Sequence, residues 1–221
     1  MNSIDSDLGR LLESVQGRDL DVGVMVTSLD GIVAVDGKVG ALTADADQLL
    51  LLGLRERALA VVVGAATIRA EGYGGLLPAA ARQRRTTAGM PAQPELVAIS
   101  RSADGVAGTE ASRAADLDLR VEQPPPAPGG RPDLHAVSAS VRARHGPGLI
   151  LWEGGPRLVR TAVAQQVLGE LFVAISPVLA GRGLPLAGPE TDGIRRLQLL
   201  GTAASENYVF LRYGLGPRDG A

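Results

Sequence analysis

Short aliphatic runs alternate with amphipathic stretches along the chain, a pattern that predicts strands interleaved with helices. Ile4, Leu8, Leu11, Leu12 and Val15 recur at helical spacing and predict a short amphipathic helix on the outside of the domain. Residues 21–29 hold Val22, Val24, Met25 and Val26 in an aliphatic run, as expected of a central strand covered on both faces. Ser28, Leu29, Asp30 and Gly31 close it in a polar turn, and residues 32–35 predict a short return. Thr43 offers an N-cap for a largely buried helix over 49–60, with Asp45 and Asp47 in the first turn and Arg55 and Arg57 near the far end, where their charges complement the helix dipole. Residues 60–64 and 95–99 predict buried strands, separated by a turn over 65–70 and a helix or loop over 78–90.

After a poorly patterned stretch with a strand near 117–121, residues 122–133 concentrate Pro124, Pro125, Pro126, Pro128, Gly129 and Gly130. This Pro/Gly-rich segment reads as a long loop within one domain of residues 1–221, because the strands on either side are too few to form separate sheets. Residues 134–144 predict a surface helix. Leu149, Ile150, Leu151 and Trp152 then form a buried strand that ends at Glu153 and runs through Gly154, Gly155 and Pro156 into a helix carrying Leu158, Val159, Ala162, Val163 and Val167. Strand, glycine turn and helix make an anion-binding arrangement: glycines let backbone approach a ligand, Pro156 suits the first helical turn, and the N–H groups of Arg157, Leu158 and Val159 would face a phosphate. A further strand over 170–176, a loop over 184–193 and an antiparallel pair over 194–201 and 208–214 complete an α/β architecture. It is a mixed, mostly parallel sheet in three layers, with helices on both faces.

Composition narrows the chemistry. The 221 residues are 45% hydrophobic but only 3% aromatic, so the core is aliphatic. A net charge of −2 leaves no electrostatic footprint for nucleic acid. Cysteine is absent, which removes disulfides, thiolate nucleophiles and cysteine-ligated zinc. His135 and His145 lack a partner in helical register, so no metal is expected. With neither a signal peptide nor an apolar run of membrane-spanning length, the expectation is a cytoplasmic protein without a membrane partner. Ligands of open α/β sheets sit outside the carboxyl ends of strands, which singles out Thr67, Arg69 and Glu71, then Ser100, Arg101 and Ser102. Arg82, Arg84 and Arg85 read either as a solvated face or as a phosphate clamp.

Four segments carry a family resemblance in their order and spacing: Val26 to Gly31, Val63 to Tyr73, Glu153 to Pro156, and Ser176 to Gly181. Together they resemble the C-terminal reductase domain of the bacterial riboflavin-biosynthesis deaminase/reductase, which has a dihydrofolate reductase-like fold. The resemblance implies a homodimer that uses NADPH to reduce the ribose of a phosphoribosylamino-pyrimidine to the ribityl chain. The partner deaminase requires zinc-binding cysteines, so this chain corresponds to the reductase half alone.

Carried over residue by residue, the resemblance sets residues 155–161 on the cofactor diphosphate, Val26, Thr67 and Ser100 on NADPH, and Arg55 and Glu153 on the substrate side. Arg101 and Ser102 are added here as a grip for the 2′-phosphate, and Arg85 as a substrate-phosphate contact. Glu71, where these enzymes usually carry Asp, and Asp30 are the candidates for the polar group beside the reacting carbon. Asp30 reads equally well as an ordinary turn cap. Val24, Val39 and Ala41 stand where the riboflavin enzymes usually carry lysine, serine and tryptophan. The substrate side is therefore altered, which leaves a pterin reductase of the dihydrofolate reductase type, or an NADPH-binding protein without turnover, as alternatives.

Overall fold

The computed structural model describes residues 3–188 and 194–216. In chain order its elements are α1 (Ser3–Glu13), β1 (Leu20–Thr27), β2 (Ile32–Ala34), α2 (Asp45–Arg57), β3 (Ala60–Gly64), α3 (Ala65–Glu71), α4 (Ala79–Thr87), β4 (Glu95–Ile99), α5 (Glu110–Arg113), β5 (Leu119–Glu122), α6 (Leu134–His145), β6 (Leu149–Gly154), α7 (Pro156–Ala164), β7 (Glu170–Ile175), β8 (Leu184–Pro185), β9 (Gln198–Ser205) and β10 (Tyr208–Gly214). Eight strands form one sheet in the order β5-β4-β3-β6-β1-β7-β10-β9. The run from β5 to β7 is parallel, and β10 turns antiparallel to both β7 and β9. This is the mixed, mostly parallel sheet expected from the alternation of elements.

Successive strand residues point to opposite faces, so a strand buried on both sides must be apolar at every position. Val61 and Val63, Leu149 and Leu151, and Phe172 and Ala174 face one core, with Leu50 and Leu54 of α2, Ile68 of α3 and Leu8, Leu11 and Leu12 of α1. The intervening Ala60 and Val62, Ile150 and Trp152, and Leu171 and Val173 face the other, beneath Val137 and Val141 of α6 and Val159 and Ala162 of α7. Each buried Val, Leu or Phe side chain contributes roughly 1.5–3 kcal/mol, which lets an aliphatic core hold both layers.

Polar anchors fix the second layer. The Trp152 indole donates to Asp21 Oδ1 at 2.8 Å, and Ser138 of α6 donates to Asp21 Oδ2 at 2.9 Å, so one carboxylate ties helix to sheet. Arg142 pairs with the same carboxylate at 2.7 Å.

Several local expectations give way to tertiary context. The second helix starts at Asp45 with Ala44 as its N-cap and no side-chain cap bond, while Thr43 ends a short 3₁₀ turn, Gly40–Leu42. Residues expected to form a turn after β3 make the helix α3, closed by Gly72 at φ 72°. The strand expected as a return from β1 pairs instead with β8 in a separate two-stranded sheet. Both terminal-layer helices are more deeply seated than their polarity suggests: Leu8, Leu11, Leu12 and Val15 of the N-terminal segment are buried, as are Leu134, Val137 and Val141 of α6. Of the loop expected over 184–193, residues 189–193 lie outside the described residues.

Candidate active site

The carboxyl ends of β3, β6 and β1 are neighbours in the sheet, and their following segments open a cleft of about 800 Å³. Val24 and Val26 of β1, Gly64 and Thr67 after β3, and Glu153 through Leu158 after β6 line it, together with one face of α2. That face presents Asp47, Leu51 and Arg55, spaced four apart and therefore stacked on one side of the helix.

One end is built of backbone. Gly155 is the N-cap of α7 and Pro156 occupies its first turn. The Gly155 N–H donates to Thr67 Oγ1 at 2.9 Å, which locks the glycine turn to the start of α3. Gly154 has φ 140°, a conformation that side chains rarely adopt, and a Cβ placed there would meet no protein atom within 4 Å. No side chain therefore stands between this backbone and the cleft, as an approaching phosphate requires. The amides of Leu158 and Val159 turn back onto the Gly155 carbonyl, so of the three N–H groups expected to face an anion only that of Arg157 is not committed there. Val159 is itself a core residue, 3% exposed, so its place in the motif is structural.

The other end is built of side chains. Arg55 grips Glu153 with two hydrogen bonds of 2.6 Å each, and its third nitrogen donates to the Leu76 carbonyl at 3.2 Å. Both partners are nearly out of solvent, at 13% and 2% side-chain exposure. Burial opposes the Arg55 charge, yet the Glu153 carboxylate outweighs it and holds the guanidinium protonated. The Arg55 guanidinium lies 5.6 Å from the centre of the Tyr73 ring. Burial first, and the Glu153 charge second, push the Tyr73 phenol well above its usual range.

Asp47 is the lining residue whose importance the sequence pattern concealed. It is 6% exposed, has no hydrogen bond or ion pair with any described residue, and burial raises its carboxyl from 3.8 to about 6. Its place in the first helical turn gave it an ordinary dipole role; the available signal was its four-residue spacing from Leu51 and Arg55, which sets all three on one face of the helix. Glu71 also lines the cleft, but at the exposed end of α3.

The structure therefore brings together Val26, Thr67, Gly154, Gly155, Pro156, Arg157, Leu158, Arg55, Glu153 and Glu71, and it leaves others outside. Asp30 is not in the cleft. Its carboxylate accepts from Ser28 Oγ at 2.6 Å and from the Ala180 and Gly181 amides at 2.9 and 2.7 Å. Those bonds, the serine's foremost, hold its pKa down to about 2, which describes a turn cap rather than a proton donor. Arg85 is 2% exposed and donates to the carbonyls of Pro91, Glu56 and Ala58 at 2.8 Å each, so it clamps the end of α2 and is turned away from any substrate. Its neighbours are also committed, Arg82 to Asp116 and Arg84 to Glu56. Ser100, Arg101 and Ser102 lie at the carboxyl end of β4, one strand beyond the cleft wall and outside its lining; Arg101 and Ser102 are exposed. Val24 and Val39 both line the cleft and bring no polar group to it. Among the described residues no three His, Cys, Asp or Glu side chains gather as a metal site would need, and no helix is long and apolar enough to cross a membrane.

Comparison with known proteins agrees with this geometry. The profile of the RibD C-terminal domain family matches residues 23–211. Curated protein sequences give no match. Among solved structures, a pyrimidine reductase-like protein from Corynebacterium diphtheriae superposes with a TM-score of 0.73 at 24% identity, over 97% of this chain and 98% of that one. A riboflavin biosynthesis reductase of Saccharomyces cerevisiae gives 0.67 at 13% identity, over 95% and 100%. A dihydrofolate reductase from Enterococcus faecalis, complexed with NADP(H), gives 0.53 at 12% identity, over 91% and 98%.

Proposed function

The chain belongs to the RibD C-terminal domain family, and from that premise we propose that it is an NADPH-dependent pyrimidine reductase of the riboflavin-biosynthesis type. The observation that carries the reading is the division of one cleft into a backbone cradle at the start of α7 and a side-chain chamber around Arg55, Glu153 and Asp47. The cradle fits a dinucleotide diphosphate, since Gly154 lines the cleft with no side chain in the way and Arg157 adds a cation beside the helix start. Thr67 and Val26 flank the path of the cofactor, and Ser100, Arg101 and Ser102 are assigned to its 2′-phosphate, beyond the β3 end. When bound, the dihydronicotinamide supplies a hydride; the protein orients it, excludes water and manages the proton.

Arg55 is saturated by Glu153 and acts by positioning: it holds the acid and Tyr73 as one rigid wall. The substrate assigned to the chamber is the ribosylamino-pyrimidine phosphate, with a homodimer in the cytoplasm as the expected form. An open edge at β9, with Leu199 52% and Leu200 38% exposed, supports the dimer.

Loss of NADPH absorbance on addition of the ribosylamino-pyrimidine phosphate tests the activity. Turnover with dihydrofolate or a dihydropterin and none with the pyrimidine would move the assignment to a pterin reductase, and NADPH binding with no turnover on any of them would make it a binding protein. Sedimentation at several protein concentrations tests the dimer.

A further inference from the structure

Reducing a C=N or C=O bond needs a proton as well as a hydride, and three carboxyl groups line the cleft. Glu153 is fully engaged by Arg55, both of its carboxylate oxygens accepting from the guanidinium. Glu71 is exposed at the end of α3, open to water. Asp47 differs from both: it is buried, lines the cleft along with Leu51 and Val39, and its side chain meets no cation or hydrogen-bond donor among the described residues.

We propose that Asp47 is the catalytic acid, donating the proton that accompanies hydride transfer. This rests on the reductase reading above. In the ring-opened form of a glycosylamine, the sugar carbon is joined to the pyrimidine's amino nitrogen as an imine. The imine carbon takes a hydride with its electron pair from the dihydronicotinamide, the C=N π pair moves onto nitrogen, and that nitrogen takes the Asp47 proton. The products are a secondary amine, the oxidised cofactor and the Asp47 carboxylate, which regains its proton from water.

Other titratable groups face the same cleft: Arg55 from α2 itself, Glu71 and Tyr73 from α3 and the segment after it, Glu153 from β6 and Arg157 from α7. Arg55 is neutralised by Glu153 and Arg157 stands at the cofactor end, so burial governs Asp47 and raises its pKa to about 6. A general acid placed so contributes about 10²–10⁴-fold in rate.

The test compares wild type with Asp47→Asn, an isostere that cannot donate. The expected result is an NADPH dissociation constant unchanged, kcat lowered by about 10²–10⁴-fold, and a wild-type kcat/KM that is level below pH 6 and falls above it, with that inflection lost in the variant. A second readout needs no turnover: a side-chain carboxyl ¹³C resonance, assigned by its absence from Asp47→Asn, should titrate near pH 6 in the free protein. Full activity and an unaltered pH profile in Asp47→Asn would overturn the proposal while leaving the reductase reading intact, as would a carboxyl that titrates in the ordinary range. Wild type that fails to oxidise NADPH with the ribosylamino-pyrimidine, dihydropterin and dihydrofolate would instead overturn the reductase reading, and the proposal with it.

Discussion

Replacing Asp47 by Asn should make the protein more stable, and the gain should depend on pH. The carboxyl is 6% exposed and its pKa rises from 3.8 to about 6 through burial alone. A shift of one unit corresponds to ~1.4 kcal/mol, so keeping the ionised form in the fold costs about 3 kcal/mol. The helix dipole acts the other way, since Asp47 sits in the first turn of α2, but that favours a carboxylate by only ~0.3–1 kcal/mol, so burial wins. The sign follows from linkage: a folded-state pKa above the unfolded one means that the folded protein binds the proton more tightly. The favourable contribution is complete below about pH 4 and is lost as pH rises through about 6, where the native carboxyl ionises.

Asn has nothing to ionise. Wild type and Asp47→Asn should therefore differ little at pH 4, and the variant should be more stable by about 3 kcal/mol at pH 8. For a chain of this size that is a rise of roughly 6–12 °C in melting temperature. Urea unfolding of both proteins at pH 4, 6 and 8 measures it. A difference that stays flat with pH, or a variant less stable at pH 8, would refute the claim that burial controls this acid. Retaining a destabilising acid in a cleft is the stability–activity exchange expected of a catalytic group.

Three further outcomes follow from the geometry. Gly155→Val places a Cβ 2.8 Å from Thr67 Oγ1, so it should break the turn-to-α3 lock and abolish NADPH binding in a fluorescence titration; because φ is −55° there, circular dichroism should still show a folded protein. Arg101→Ala should weaken NADPH by about 1.5–3 kcal/mol while sparing NADH, and equal losses for the two cofactors would remove Arg101 from the 2′-phosphate. Arg55→Ala strands the Glu153 carboxylate at 2% exposure and should cost about 3–5 kcal/mol in urea unfolding, whereas a loss below 1 kcal/mol would mean that the pair is well solvated.

Periodicity was enough for the sheet. Ala60–Gly64 and Glu95–Ile99 are strands with the predicted bounds because unbroken apolar runs of that length satisfy both cores at once. The strand–glycine–helix unit at 149–164 was equally legible, since glycine and proline constrain the backbone locally. What stayed hidden depends on partners distant in sequence. Arg85 and Arg55 are both arginines near helix ends, yet one clamps backbone carbonyls and the other a carboxylate 98 residues away. Asp30 and Asp47 are both acids in turn or cap positions, and only packing decides that the first is held ionised by amides and the second is kept from ionising. The pairing of β2 with β8 and the helix α3 were hidden for the same reason, as short segments whose partners or conformation are set by what they dock against.

The apolar substitutions on the substrate side and the unpaired acid bear on each other. Val24 is 6% exposed and lines the cleft that Asp47 faces, so the position where riboflavin enzymes resemble one another in carrying lysine here adds no cation to the chamber. An ammonium in that space would favour the carboxylate and draw the Asp47 pKa down, leaving little acid form at neutral pH. With valine at 24 and 39 the acid keeps its proton to about pH 6, at the expense of a charged contact to substrate. Loss of the lysine does not therefore imply loss of catalysis. The prediction that separates this from decay is already measurable, because a degenerate site would bind NADPH yet show no turnover at any pH, whereas an active one would lose its inflection near pH 6 in Asp47→Asn.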